Sequence, residues 1–253
     1  MSRQPLHDKI PWSYHGVIGT VRPLLMGITR REWSGGEHIP RTGGFIVASN
    51  HYSEVDPLTL AHFVVDQGRA PFFLAKSSLF EVPVLGGALR HLGQVPVYRE
   101  TSRAGDALEA ARDALAAGRC IGVMPEGTLT RDPDMWPMRG RPGVARLALS
   151  TGAPVIPVGQ WGAQAILDRY ARRPGNILRR PVQQVRAGPP VDLSDLHGQD
   201  HDTRTLIEAT ARIMAAITAL VAELRGQTPP EKPYVPTASE LHRRPRPGRE
   251  GHP

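Results

Sequence analysis

The chain has 253 residues, of which 40% are hydrophobic and 22% charged, a length and balance that suit one large α/β domain, or two small ones, with a real core. A single cysteine, Cys120, excludes a disulfide framework and a cysteine-rich zinc site and fits a reducing compartment. The formal net charge of +7 favours an anionic partner: a phosphorylated substrate, nucleic acid or an acidic membrane surface. Aromatic residues are only 6%, too few for extensive base stacking, so no nucleic-acid partner is expected.

Neither a secretory signal nor a transmembrane span is expected from the pattern. The N-terminus lacks a basic region followed by an uninterrupted apolar one, and the best span candidate, 12–29, is broken by His15, Arg22 and Pro23. Residues 1–34 nonetheless form a distinct segment. Trp12, Tyr14, Val17, Ile18, Val21, Leu24, Leu25 and Ile28 recur at roughly helical spacing beside Arg22, Arg30 and Arg31. Such a segment suits a membrane interface, or a helix packed on the domain, or both through opposite faces.

From 43 to 191 short apolar runs alternate with helical patterns. Strands are expected at 45–49, 71–75, 94–98, 120–124, 155–158 and 182–187, and helices at 57–66, 101–117 and 144–151. This alternation predicts an α/β fold: a mixed, largely parallel sheet flanked by helices, with the N-terminal membrane-interacting helical segment ahead of it. Ligands of such sheets gather at loops leaving the strands' C-terminal ends. A long amphipathic helix follows at 203–224, with Leu206, Ile207, Thr210, Ile213, Met214, Ile217, Leu220, Val221 and Leu224 as its apolar stripe. The last 28 residues hold seven prolines and no apolar cluster, the composition of a disordered tail. The expected division is therefore 1–34, a domain at 35–225, and a Pro/Arg-rich tail at 226–253.

The chemistry-bearing stretch is ASNHYSEVDP, residues 48–57, directly after the first apolar run. His51 and Asp56 would make a base held by a carboxylate, suited to proton transfer near neutral pH. Their spacing alone carries little, because His197 and Asp202 repeat it in a polar connector with no strand delivering them. Residues five apart in a regular helix are about 140° apart around the axis, so the pair can meet only across a non-helical segment. Asp56 before Pro57 reads as a helix N-cap, with His51 in the loop before it. A purely structural alternative has Asp56 capping the helix and His51 as an ordinary loop residue.

Three further stretches follow in order: a strand ending in Arg99 after Gly93, the turn Pro125-Glu126-Gly127-Thr128 after an apolar run, and Val155-Ile156-Pro157-Val158. Together with Asn50, His51 and Asp56 they resemble the four sequence blocks of the glycerolipid acyltransferases, specifically the 1-acylglycerol-3-phosphate acyltransferase family. Lys76-Ser77-Ser78-Leu79-Phe80 resembles a further family segment, and the likeness spans roughly 35–190. One position departs: the family's Arg after Glu-Gly-Thr is Leu129 here, and the next arginine is Arg131. Either Arg131 takes over the phosphate or the acceptor differs.

The resemblance implies O-acyl transfer from an acyl thioester, on coenzyme A or an acyl carrier protein, to the free hydroxyl of 1-acylglycerol-3-phosphate, making phosphatidic acid in phospholipid synthesis. It implies His51 as base and Asp56 as its orienting carboxylate, with Ser53 and Cys120 structural. Arg99 and Arg131 would grip the phosphate, with Lys76 and Arg139 behind them. Glu126 would meet glycerol hydroxyls or place a cation, Gly127 would admit the ligand close to the backbone, and Thr128 completes the block. No cofactor or metal is expected. The expected setting is peripheral, on an anionic membrane surface at the cytoplasmic face. Competing readings are another lysophospholipid or glycolipid acceptor, a serine hydrolase, weakened by the absence of a Gly-x-Ser-x-Gly elbow, and a non-catalytic basic lipid-binding protein.

Overall fold

The computed structural model describes residues 12–97, 104–171, 173–197 and 202–242. Its centre is a seven-stranded sheet of order β1-β7-β6-β2-β5-β3-β4, built from β1 (Arg30–Ser34), β2 (Phe45–Ser49), β3 (Pro71–Lys76), β4 (Val95–Val97), β5 (Cys120–Val123), β6 (Val155–Trp161) and β7 (Val182–Ala187). All neighbours are parallel except β6 and β7. That reversal has a local cause. A parallel neighbour is usually reached through a helical crossover, whereas the described residues of the β6–β7 connection form two short 3-10 turns and no α-helix.

β2 lies in the middle of the sheet, between β6 and β5, and all five of its residues are buried. Coverage on both faces explains why it reads as a continuous apolar run rather than an alternating one. On one face α2 (Asp56–Asp66) lays Leu60, Phe63 and Val64 against Phe45 and Val47. On the other, α4 (Ala104–Ala116), α5 (Gly143–Thr151) and α6 (Thr203–Arg225) bring Ala111, Leu115, Val144, Leu147, Ile213 and Ile217 onto Ile46 and Ile121. The chain leaves β2 towards β3 on one side and later crosses from β5 to β6 on the other, so β2 ends at a topological switch point.

α6 has the expected stripe, except that Ile207 lies off it and is exposed. Asp202 caps its start through the Thr205 N–H, and Gly226, at φ 60°, ends it. Among the described residues α6 is the one helix long and apolar enough to cross a membrane by length and composition, and it lies packed on β6, with half of that apolar stretch buried.

The N-terminal helix α1 (Trp12–Ile28) continues through Pro23. It packs on the domain: Tyr14 and Leu25 are buried, and the Tyr14 hydroxyl donates to Pro71 O at 2.5 Å and accepts from Gln94 at 2.7 Å. Leu24 stays exposed, so the packed helix still shows an apolar residue to solvent. Arg30 and Arg31, expected beside this segment, are the first residues of β1 instead. α3 (Leu85–His91) was not expected, nor was β1.

The segment after Gly226 departs from the expected disordered tail as far as His242. Tyr234 O accepts from the Arg139 N–H, Tyr234 O–H and Thr237 both donate to Glu240, and α7 (Ala238–His242) follows. These contacts run through backbone and one carboxylate, so they need no apolar cluster.

Candidate active site

The site is built where β2 and β5 end. Asn50, buried, locks the end of β2 to β6: its Nδ2 donates to Gln160 O at 3.1 Å and its Oδ1 accepts from Gln160 N at 2.8 Å. One residue on, the backbone of His51 is held at both ends by the β5 side. Its N–H donates to Glu126 Oε1 at 2.9 Å, and its carbonyl accepts from Thr130 N at 2.8 Å. His51 is thus placed almost as firmly as a strand residue although it lies in a loop.

His51 Nδ1 lies 3.1 Å from Asp56 Oδ2. The same oxygen accepts from Tyr52 N at 2.5 Å and Ser53 N at 2.7 Å, so the loop wraps around the carboxylate. The Asp56 side chain is fully buried, whereas the His51 side chain keeps 15% exposure. With Nδ1 occupied, Nε2 is the ring nitrogen left for a substrate. Asp56 is not the helix cap. Val55 holds that position without a side-chain bond, Asp56 is the first helical residue, and its carboxylate turns back over the loop instead. The repeat pair does not form a site: His197 precedes α6 in an exposed connector and Asp202 is spent on capping that helix.

Glu126 is placed differently from expectation. It is 2% exposed, and its second oxygen accepts from Met138 N at 2.9 Å, so the carboxylate ties the two site loops together rather than presenting itself to a ligand. Burial pushes this carboxyl up to about 8, with the two N–H bonds pulling the other way. A carboxyl raised in the folded state binds its proton more tightly there, so its contribution to stability is full below the ordinary value near 4.5 and is lost as pH rises towards 8. The melting-temperature advantage of wild type over Glu126→Gln should therefore shrink from pH 5 to pH 8. An advantage that grows with pH would mean that the N–H bonds dominate and the group stays ionised.

Gly127 has φ 71°, a conformation that favours glycine, at the turn closed by its N–H to Met124 O. A Cβ there would come within 3.0 Å of the Arg141 side chain, so Arg141 occupies the space expected for a ligand. Arg141 is exposed, its N–H donates to Pro125 O, and the sequence motifs did not single it out. Thr128 is half-buried in the same turn, and Leu129 is 5% exposed, its side chain committed to the interior.

Arg131 stacks over the Tyr170 ring at 4.8 Å, and its Nε and Nη1 are buried with no hydrogen-bond partner among the described residues. Tyr170 O–H reaches Thr130 O at 3.1 Å, and the neighbouring Arg169 donates to Asp132 O at 2.5 Å. Ser53 Oγ donates to Leu167 O at 2.6 Å, so the β6–β7 connection braces both site loops. That brace came from a stretch without periodicity and was not foreseen. Arg139 is exposed beside Tyr234. Lys76 is the last residue of β3, with its side chain outside the described set, and Arg99 lies outside the described residues. Ser53, bonded to Leu167 and Val55, and Cys120, buried in β5 with its thiol pushed up by desolvation, are both held structurally.

Comparison with known proteins gives a consistent likeness. The family model described as Acyltransferase matches residues 30–161, more than half of the chain. A 1-acyl-sn-glycerol-3-phosphate acyltransferase of Borreliella burgdorferi is 34% identical over 127 residues, covering 49% of this chain and 48% of that protein. The 1-acyl-sn-glycerol-3-phosphate acyltransferase alpha of Mus musculus is 32% identical over 180 residues, 70% of this chain and 59% of that one. The crystal structure of the 1-acyl-sn-glycerophosphate (LPA) acyltransferase PlsC from Thermotoga maritima superposes with a TM-score of 0.64 at 25% identity, covering 85% of this chain and 81% of that chain. The chain spans about half or less of the length of the first curated relatives it matches.

Proposed function

From the premise that the chain belongs to the acyltransferase family, we propose that it is an O-acyltransferase that moves a fatty acyl group from an acyl thioester to the free hydroxyl of 1-acylglycerol-3-phosphate, making phosphatidic acid. The observation that carries the reading is the His51–Asp56 pair just past the end of β2, with one imidazole nitrogen unspent. A hydroxyl is a poor nucleophile until its proton leaves as it attacks. Neutral His51 takes that proton at Nε2 while the hydroxyl oxygen bonds to the thioester carbonyl carbon. Asp56 holds Nδ1–H and stabilises the imidazolium. Collapse of the tetrahedral intermediate breaks the carbon–sulfur bond, and His51 returns the proton to the departing thiolate. The substrate hydroxyl does the work of a hydrolase serine, so no acyl-enzyme is needed. The proposed step uses the acyl thioester as co-substrate and invokes no further cofactor.

The acceptor's phosphate is assigned to Arg131. Its unpartnered nitrogens favour it as the cation that stands in for the family's arginine, since Leu129 is turned inward. Arg141 over Gly127 is the second cation at this turn. Arg131→Ala should raise KM for the acceptor by about 10- to 100-fold with a much smaller change in kcat, and Arg131→Lys should recover part of it. Steady-state kinetics with varied acceptor checks this; an unchanged KM would leave Arg131 a structural stack on Tyr170. The whole reading is tested by transfer from palmitoyl-CoA, and from an acylated carrier protein, to lysophosphatidic acid. Transfer to another lysophospholipid or a glycolipid alone would reassign the acceptor, and no transfer to any of them would leave a lipid-binding protein. The proposed setting is peripheral, on the cytoplasmic face of an anionic membrane.

A further inference from the structure

β2, β3, β5 and β6 all point the same way, so the connections leaving their C-terminal ends share one pole with His51. β7 runs against β6, which closes the β6–β7 connection at that pole too. This pole is where large apolar side chains stand in solvent. Val84 and Leu178 are each 90% exposed, and Leu58, Leu79 and Val82 are exposed with them. The connections at the opposite pole carry none of the exposed large hydrophobics among the described residues, and only Ile207, near the start of α6, stands exposed at that end. Exposed apolar residues scattered singly need no explanation, but their concentration at one end does.

The turn between β3 and α3 is built for display. Val84 has φ 66° and ψ −55°, a region that a β-branched residue enters only when its surroundings hold it there. Phe80 is buried beneath the turn, its carbonyl accepts from Arg90 at 2.8 Å, and Gly86 lies so close to that carbonyl that a Cβ would collide with it. The base of the turn is fixed, and its tip shows Val82 and Val84 to water. Around these apolar points the pole is basic. Arg139, Arg141, Arg173, Arg179 and Arg180 are exposed there against Glu54, Glu81, Asp134 and Asp168, and the excess of cations sits on the β6–β7 connection, whose described residues hold four arginines and one aspartate.

We infer that this pole is the face that docks on an anionic bilayer, with the Leu79–Val84 turn inserted among the lipid chains and Arg173 and Arg179 of the β6–β7 connection on the headgroups. Apolar tips on separate connections, spaced among cations, fit a fluid anionic surface, which supplies both kinds of contact wherever they fall. The inference rests on the lysophospholipid reading, and it adds that the acceptor reaches His51 from the bilayer without crossing water. It is separate from any contact through α1, which packs Tyr14 and Leu25 on the core and shows Leu24 to solvent.

The test uses the full chain and its Val82→Asp/Val84→Asp double variant. Binding is measured by sedimentation with phosphatidylcholine vesicles, with and without phosphatidylglycerol. Transfer is measured with lysophosphatidic acid in those vesicles and with a short-chain acceptor below its micelle concentration. The expected result is binding that needs phosphatidylglycerol and falls by about tenfold or more in the double variant. Transfer to the vesicle-borne acceptor should fall alongside it, and transfer to the soluble acceptor should stay within about twofold. Undiminished vesicle binding in the double variant overturns the inference, as does an equal loss on the soluble acceptor, which would place the turn in the reaction itself. His51→Ala separates the two readings, because it should bind vesicles like wild type. A wild type that binds through this turn yet transfers to no acceptor would overturn the enzymatic reading and leave the docking face standing.

Discussion

His51→Ala should lower kcat for acyl transfer by about a thousandfold, within the range of a lost general base, with the fold intact. His51 keeps its ring partly exposed, and the bonds that locate it run through its own backbone to Glu126 and Thr130. Alanine keeps that backbone, so the loss should be chemical rather than structural. Circular dichroism and the melting temperature should match wild type. His197→Ala, in an exposed connector, should leave both activity and stability unchanged. If His51→Ala retained transfer within about tenfold, the proton would have to leave by another route and the base assignment would fall.

Asp56→Asn should cost about a hundred- to ten-thousandfold in kcat. The substitution isolates charge from geometry. All of the hydrogen bonds described for the Asp56 side chain fall on Oδ2, and Oδ1 is buried with no partner among the described residues. An asparagine oxygen can replace Oδ2 towards Tyr52 N and Ser53 N, and its NH₂ would fall where Oδ1 has no bond to lose. What disappears is the negative charge that favours the imidazolium. Asp56→Ala should add a stability loss of about 2–6 kcal/mol, because the buried N–H groups of Tyr52 and Ser53 would lose their acceptor. Kinetics and urea denaturation of both variants separate the two effects. Near-wild-type turnover in Asp56→Asn would reduce Asp56 to a loop tie.

What could be read from the chain follows from which interactions act locally. β2 and β7 fall on the expected residues because burial leaves a continuous or alternating apolar trace. β1 leaves none: in Arg-Arg-Glu-Trp-Ser only Trp33 is partly buried, and pairing with β7 through backbone alone makes it a strand. α3 is masked by Gly86 and Gly87, which weaken any helical pattern. The His51–Asp56 pair was legible as a spacing, but its decisive feature, a loop folded around one carboxylate oxygen, lies in backbone N–H groups that every residue carries. Glu126 was legible as a turn carboxylate beside the site, yet its partners are amides 75 and 12 positions away, which no local pattern announces. The same holds for Arg141 over Gly127 and for the β6–β7 brace.

The way His51 is fastened separates two design problems. Its position is fixed by Asn50, Glu126 and Thr130, all of which belong to the ends of the central strands and the loops directly after them. The surroundings that a lipid headgroup would meet come from longer excursions, the β3–α3 turn and the β6–β7 connection. A lineage could lengthen, recharge or exchange those excursions and so change which alcohol is accepted, while the reactive imidazole stays in register with the sheet.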